Sequence, residues 1–289
     1  MIHEIADAST FLATIAPLMT ADLEGMQLIG TVAPMTGNRF WVVVDAKGSA
    51  SACALVSQRG LIMCPSITPD DANALGVKLA TDVAEVLPEA RGSYETLPAF
   101  IKGYTSVRPT VTVTPHHHLI IYALDAAGLP KEASAIGGRA VSGTMVAATA
   151  EDKALLVDFV TQFLIDVGED STPAMVETSI ESQLTRGSLY LWKVRGRAVA
   201  CAGHSAPVVA PDGASMLYRI MSVYTPEADR CNGYASALTA AICHNLLKST
   251  NGPTPRVMLF ADSTNAASNK AYKRIGFVSK SEMVTSKLA

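Results

Sequence analysis

Two short blocks late in the chain hold the residue types best suited to chemistry. The first is Arg230-Cys231-Asn232-Gly233-Tyr234-Ala235, which follows the strand-like run Ser222-Val223-Tyr224-Thr225-Pro226 and opens an amphipathic helix reaching Leu247. A helix start carries unpaired backbone N–H groups and partial positive charge, so it can hold an anion such as a pyrophosphate. Gly233 lets the main chain approach a ligand, and Arg230 adds a fixed positive charge. The second block places Asn265, Ser268 and Tyr272 at i, i+3 and i+7, one polar stripe on a helix whose other stripe is Ala267, Ala271 and Ile275. Polar groups near a strand end are where α/β sheets put ligand contacts. Two adjacent parallel strands feeding these helices would leave a cleft between them.

The elements that must position these blocks follow from periodicity. In the first half, helical spacing covers Ser9 to about Leu28, strands are expected at Arg39–Val44, Ser49–Val56 and Gly60–Pro65, and a helix carries Leu75, Leu79, Val83 and Val86 up to Pro88. That helix starts with Thr68-Pro69-Asp70-Asp71. The two acids suit the helix dipole but would repel a phosphate there, so ordinary capping is the reading. A short helix at Leu97–Tyr104 and a long strand at Thr110–Leu124 complete the half. Glycines and prolines near Gly128-Leu129-Pro130 and Gly137-Gly138 mark a boundary. Beyond it come a strand at Val141–Ala147, helices at Glu151–Val167 and Pro173–Gly187, a hairpin at Ser188–Lys193 and Arg197–Gly203, and a strand at Met216–Thr225 feeding the first block. After the helix from Ala235, a strand at Arg256–Ala261 feeds the second block, and Gly276-Phe277 closes it.

Bulk properties narrow the function classes. A chain of 289 residues with 49% hydrophobic and 17% charged residues suits two ordered domains. The formal net charge of −3 gives no basic excess for general nucleic-acid binding. No apolar run is long enough for a membrane span, and no leader pattern opens the chain. The five cysteines are widely spaced without a C-x-x-C pair, which favours reduced thiols in the cytoplasm. His116-His117-His118 alternate across a strand and cannot converge on one ion, so they read as a solvated strand segment and no metal site is expected. A phosphate-binding G-x-x-x-x-G-K-[ST] loop is absent, which removes that class of nucleotide hydrolase.

Taken together, Arg230-x-x-Gly233-x-Ala235 after Val223-Tyr224-Thr225-Pro226, and Asn265-x-x-Ser268-Asn269-x-x-Tyr272-x-x-Ile275-Gly276-Phe277 downstream, resemble the GNAT superfamily of acyl-CoA-dependent N-acetyltransferases. The match runs from Val141 to about Val278. The first half resembles a second, degenerate copy, with Asp70 and Asp71 where the signature would stand. The resemblance implies an α/β (mixed α+β) fold of two tandem GNAT-like domains, each a mixed central sheet flanked by helices. These would be residues 1–130 without a cofactor motif and 131–289 binding acetyl-CoA.

By the same resemblance, Val223 and Tyr224 would bond the pantetheine arm or the oxyanion through their backbone. Arg230, Cys231, Asn232, Gly233, Tyr234 and Ala235 would surround the diphosphate, Asn265 would bond the pantetheine with Ser268 and Asn269 nearby, and Tyr272 would protonate the leaving thiolate. Many members carry a Glu on the strand before the signature as base, and Met216–Thr225 has no carboxylate. His204 is the nearest titratable substitute, or else a histidine with a structural hydrogen bond; Tyr218 and Tyr190 are weaker candidates. Cys231 is either a thiol activated beside Arg230 or a bland turn residue. The implied activity is acetyl transfer to a primary amine of a small molecule or peptide. The alternative is a non-catalytic acyl-CoA sensor, motivated by the missing carboxylate.

Overall fold

The computed structural model describes residues 1–125, 127–128, 140–248 and 252–289. The first half contributes β1 (Ile2–Ile5), α1 (Ala8–Thr14), α2 (Ala16–Ala21), α3 (Gln27–Val32), β2 (Arg39–Val44), β3 (Ala50–Ser57), β4 (Gly60–Met63), α4 (Pro69–Asp82), β5 (Glu89–Gly92), α5 (Thr96–Val107) and β6 (Val113–Leu124). The second contributes β7 (Thr144–Ala147), α6 (Lys153–Val167), α7 (Pro173–Thr185), β8 (Leu189–Val194), β9 (Arg197–His204), β10 (Val208–Val209), β11 (Ser215–Tyr224), α8 (Tyr234–Leu247), β12 (Thr254–Asp262), α9 (Ala266–Ile275) and β13 (Val278–Leu288). The fold is mixed α/β, a mixed sheet flanked by helices.

The thirteen strands among the described residues join one sheet in the order β1-β2-β3-β4-β5-β13-β6-β12-β11-β9-β8-β7, with β10 added on β11. Among the described residues the parallel joints are β4–β5 and β11–β12, each bridged by a helix, α4 and α8. A parallel pair needs such a crossover. The last strand of each half lies inside the other half's set: β13 pairs with β5, and β6 pairs with β12. The boundary expected near residue 130 falls outside the described residues.

Alternation along the strands explains the cores. On β8 and β9, Leu189, Leu191 and Cys201 point into a core under α6 and α7. Trp192, Ala200 and Ala202 point to the opposite face and, with Ile220 and Leu259, pack under α8. A third core holds α1–α5 and also takes Leu217 and Met258 from β11 and β12.

Several expected elements differ. The single helix from Ser9 to Leu28 is three short ones, because Pro17 begins α2 afresh and the Asp22 carboxylate accepts the Gly25 N–H in a turn. Helix α4 stops at Asp82, leaving Val83 extended and Val86 41% exposed. Strands β1, β5, β10 and β13 were not anticipated. Nor are the three histidines a fully solvated segment, since each is half-buried and His118 pairs with Val284 of β13. His118 bonds Tyr94 and Glu282 while His117 Nε2 stands 3.4 Å from Glu169, so neighbours do find partners on opposite faces.

Candidate functional site

Strands β11 and β12 pair from Ser215↔Thr254 to Ile220↔Leu259 and then part. Beyond that point β12 follows β6 through Phe260↔Ile121 to Asp262↔Leu119, while β11 follows β9. The cause is an irregularity between Met221 and Tyr224, where Ser222 takes φ +53° and its carbonyl accepts the buried Cys201 thiol at 3.5 Å. A bulge of this kind bends a strand and ends pairing. The result is a wedge at the C-terminal ends of two parallel strands, with the backbone of Met221–Tyr224 on one side.

The connection from β11 to α8 stands at the mouth of this wedge and is tightly held. The Asp229 carboxylate accepts two bonds from Arg197 at 2.8 and 2.6 Å, and Asn232 Nδ2 donates to the carbonyls of Asp229 and Arg230, both at 3.1 Å. Arg230 Nε donates to the Thr225 carbonyl, and its Nη2 reaches Asp166 of α6 at 2.6 Å. The positive charge expected at the helix start is therefore shared with Asp166, and the arginine also braces the turn. Cys231 (φ +64°) and Gly233 (φ +83°) both take left-handed conformations, which turn the chain into α8. The Cys231 thiol is exposed. A Cβ at Gly233 would meet the Val141 side chain at 3.2 Å, a tight contact that adds to the strain of its left-handed φ.

Helix α8 begins without a side-chain cap. Its first internal bond runs from the Ala237 N–H to the Gly233 carbonyl. Among the described residues, the N–H groups of Tyr234, Ala235 and Ser236 thus have no partner at the helix start. Helix α4, in the corresponding crossover of the first half, is the opposite case. There Thr68 Oγ1 accepts the Asp71 N–H, Pro69 removes a donor, and Asp70 and Asp71 fill the first turn. Such a start repels anions.

On α9 the expected stripe divides. Asn265 Oδ1 caps the helix by accepting the Ser268 N–H at 3.0 Å, and Ser268 Oγ donates back to the Asn265 carbonyl. Asn269 turns to the other flank. Its Nδ2 bonds the carbonyls of Asp262, Ser263 and Asn265, fixing the end of β12 to the start of α9. That flank, with Ile120, Tyr122, Lys270, Lys273 and Arg274, lines a cavity of about 590 Å³. Tyr272 packs against Tyr122 and Phe277 at ring separations of 6.4 and 6.0 Å, and burial pushes its phenol up to about 12. It stays protonated at neutral pH, as a proton donor must.

His204 pairs with Ile220, the residue at which the wedge begins. Its Nδ1 lies 2.9 Å from the Ser205 carbonyl, which can only accept, so Nδ1 carries the proton and the neutral ring keeps its lone pair on Nε2. Burial lowers its pKa below the ordinary 6.5, with Arg186 adding to that and the Ser205 bond opposing it. The rings of Tyr190 and Tyr218 lie 6.1 and 5.4 Å away.

One residue was missed by the sequence reading. Arg219 is the single charge within β11, and that isolation in an apolar strand was the available signal. It faces away from α8: its guanidinium lies over the Phe260 ring at 5.4 Å, and its Nε is buried without a partner. Among the described residues no carboxylate pairs with it. Burial first, then the charges of Arg91 and Arg59, press its pKa down to about 10. A cation–π contact is worth about 0.5–2 kcal/mol. The ring covers one side of the guanidinium but offers the buried Nε no hydrogen-bond acceptor.

The fold is that of the GNAT acetyltransferases. A GNAT-family acetyltransferase from Colwellia psychrerythraea aligns over 100% of this chain and 99% of its own, at 15% identity and TM-score 0.54. A GCN5-related N-acetyltransferase from Sphaerobacter thermophilus aligns over 99% and 95%, at 14% identity and TM-score 0.61. Another from Kribbella flavida aligns over 93% and 95%, at 16% identity and TM-score 0.57. The chain matches no family model and no curated protein. The likeness is one of fold, and the chemistry must be argued from the site.

Proposed function

We propose that the chain is an acetyl-CoA-dependent N-acetyltransferase with one cofactor site, in the wedge between β11 and β12. The observation that carries this reading is the uncapped start of α8 at the mouth of that wedge, set against the capped, acidic start of α4. Three unpartnered N–H groups and a left-handed Gly233 suit a diphosphate. The parted strands leave room for an extended arm, and Thr225 Oγ1, buried without a partner, adds a polar group beside it.

Acetyl-CoA, when bound, supplies an acetyl thioester. Backbone N–H groups at Val223 or Tyr224 receive the charge that develops on the carbonyl oxygen. With acetyl-CoA bound, the amine nitrogen would bond the acetyl carbon as the carbon–sulfur bond breaks, His204 Nε2 taking the amine proton and Tyr272 giving its phenolic proton to the sulfur. The Asn265 amide nitrogen, which capping leaves unused, is available to the pantetheine. In this reading residues 1–130 are a degenerate copy that supports the fold, and its start at α4 binds no cofactor. The mirrored strand order supports two copies that exchange their last strands. Five free thiols suit a reducing cytoplasm.

A second reading, a sensor that binds acyl-CoA without turnover, is favoured by the absence of a carboxylate on β11. Calorimetric titration with acetyl-CoA, followed by an assay of free CoA thiol against a panel of primary amines, separates the two. Binding with thiol release supports the transferase. Binding without release on any amine supports the sensor, and no binding removes both.

A further inference from the structure

The reading above leaves the acceptor open, and the face of the sheet opposite α8 narrows it. Arg219 is paired in register with Met258, and its guanidinium extends over Phe260 on that face. Met221, where the wedge opens, is two residues further along the same strand. At about 3.3 Å per residue the two positions are about 7 Å apart, within the length of a small molecule. The α8 side of the wedge holds the α8 core and, beside Ile220, His204, so an acceptor held at Arg219 turns its amine through the wedge toward that side.

The other partly buried cations of this face are matched, and Arg59 is exposed to solvent. Arg91 pairs with Glu89 at 3.1 Å, Lys287 with Asp170 at 2.7 Å, and Arg256 with Glu24. Glu169, with its pKa lowered to about 2 beside His117, Arg91 and Arg59, is already committed. Arg219 alone among these partly buried cations has no anion among the described residues, and its Nε has no hydrogen bond at all. An arginine fork matches an oxyanion in two bonds, which an aromatic ring cannot replace.

We propose that the acceptor is a small amine that also carries an oxyanion group, a carboxylate or a phosphate, and that Arg219 binds that group while the amine points to the wedge. The proposal rests on the acetyl-transfer reading for the amine, but the anion contact can be measured apart from it.

The test uses ω-amino acids from glycine to 6-aminohexanoate, each against the alkylamine of equal chain length and the corresponding aminoalkylphosphonate. At one chain length the acid should exceed its alkylamine in kcat/KM by about tenfold or more, as expected for a charge-assisted bidentate contact. The carboxylate and phosphonate arms then tell which oxyanion is preferred. Arg219→Met should erase the preference chiefly through KM, and Arg219→Lys should restore part of it. Acetyl-CoA affinity equal to wild type shows that the variants are folded.

Binding of butyrate, glutarate and propylphosphonate is followed in parallel by nuclear magnetic resonance with CoA present. If these anions bind only when Arg219 is intact while no amine is acetylated, the anion site stands and the transferase reading falls. Acetylation of neutral amines as efficient as that of acids overturns the proposal and leaves the transferase. So does anion binding that is absent, or indifferent to Arg219→Met.

Discussion

Tyr272 and His204 could share the proton transfers because their surroundings push them in useful directions. A phenol held near 12 keeps its proton until it meets a developing thiolate. Tyr272→Phe removes that proton without changing the ring that packs on Tyr122 and Phe277, so turnover should fall by about 10²-fold or more while acetyl-CoA affinity holds. Steady-state kinetics beside calorimetry checks this, and equal turnover would take Tyr272 out of the mechanism. His204 works the other way. Its folded pKa lies below 6.5, so the ring is neutral and basic at pH 7. The amine-limited rate should therefore be lost only as pH falls below about 6.5, the ordinary histidine value. His204→Gln should lower kcat/KM and abolish that acid limb. A limb centred above pH 7, or one that persists in the variant, would leave His204 with only its bond to Ser205. Arg219 could not be weighed in this way from sequence, because its burial depends on Phe260 of a neighbouring strand and its isolation on charges from β3 to β13. The sharing of Arg230 with Asp166, 64 residues away, was hidden for the same reason.

Elements with strong periodicity were readable: α4, α6, α7, α8, α9 and the β8–β9 hairpin all stand near their expected places. Each carries its own signal in apolar spacing and in caps such as Thr68, Thr172 and Asn265. Strand β13 carries little. Its first five residues are exposed and include Ser279, Lys280, Ser281 and Glu282, so it lacks the alternation by which a half-buried strand is recognised. The start of α8 belongs to this scale because its function lies in backbone groups rather than side chains. Gly233→Glu adds a Cβ that meets Val141, forces a left-handed φ on a residue that resists it, and puts negative charge beside three unpaired N–H groups. Acetyl-CoA binding should be lost, with the isothermal titration signal falling to baseline, while circular dichroism shows a folded chain. Retained affinity would remove the cofactor from this turn.

At the scale of the molecule, the two halves are joined by strands rather than by a surface. Strand β13 pairs with β6 along most of its length and with β5 from Val284 to Lys287, and Ala289 exchanges backbone bonds with Thr112. Cutting the chain between residues 130 and 131 would leave β5 and β12 each without the neighbour that closes its sheet, exposing edges that favour aggregation. Long-range exchange of this kind has no local sequence signature, which is why a division at residues 130 and 131 carries no hint of it. The two pieces expressed apart should be insoluble or unfold without a cooperative transition. Mixed during refolding, they should recover one transition and acetyl-CoA binding. A cooperative melt and cofactor binding by residues 131–289 alone would mean that the borrowed strand β6 is dispensable to the site. The expected failure would make the first half part of the working unit even though α4 itself binds nothing, because β6 supports β12 along the edge of the wedge.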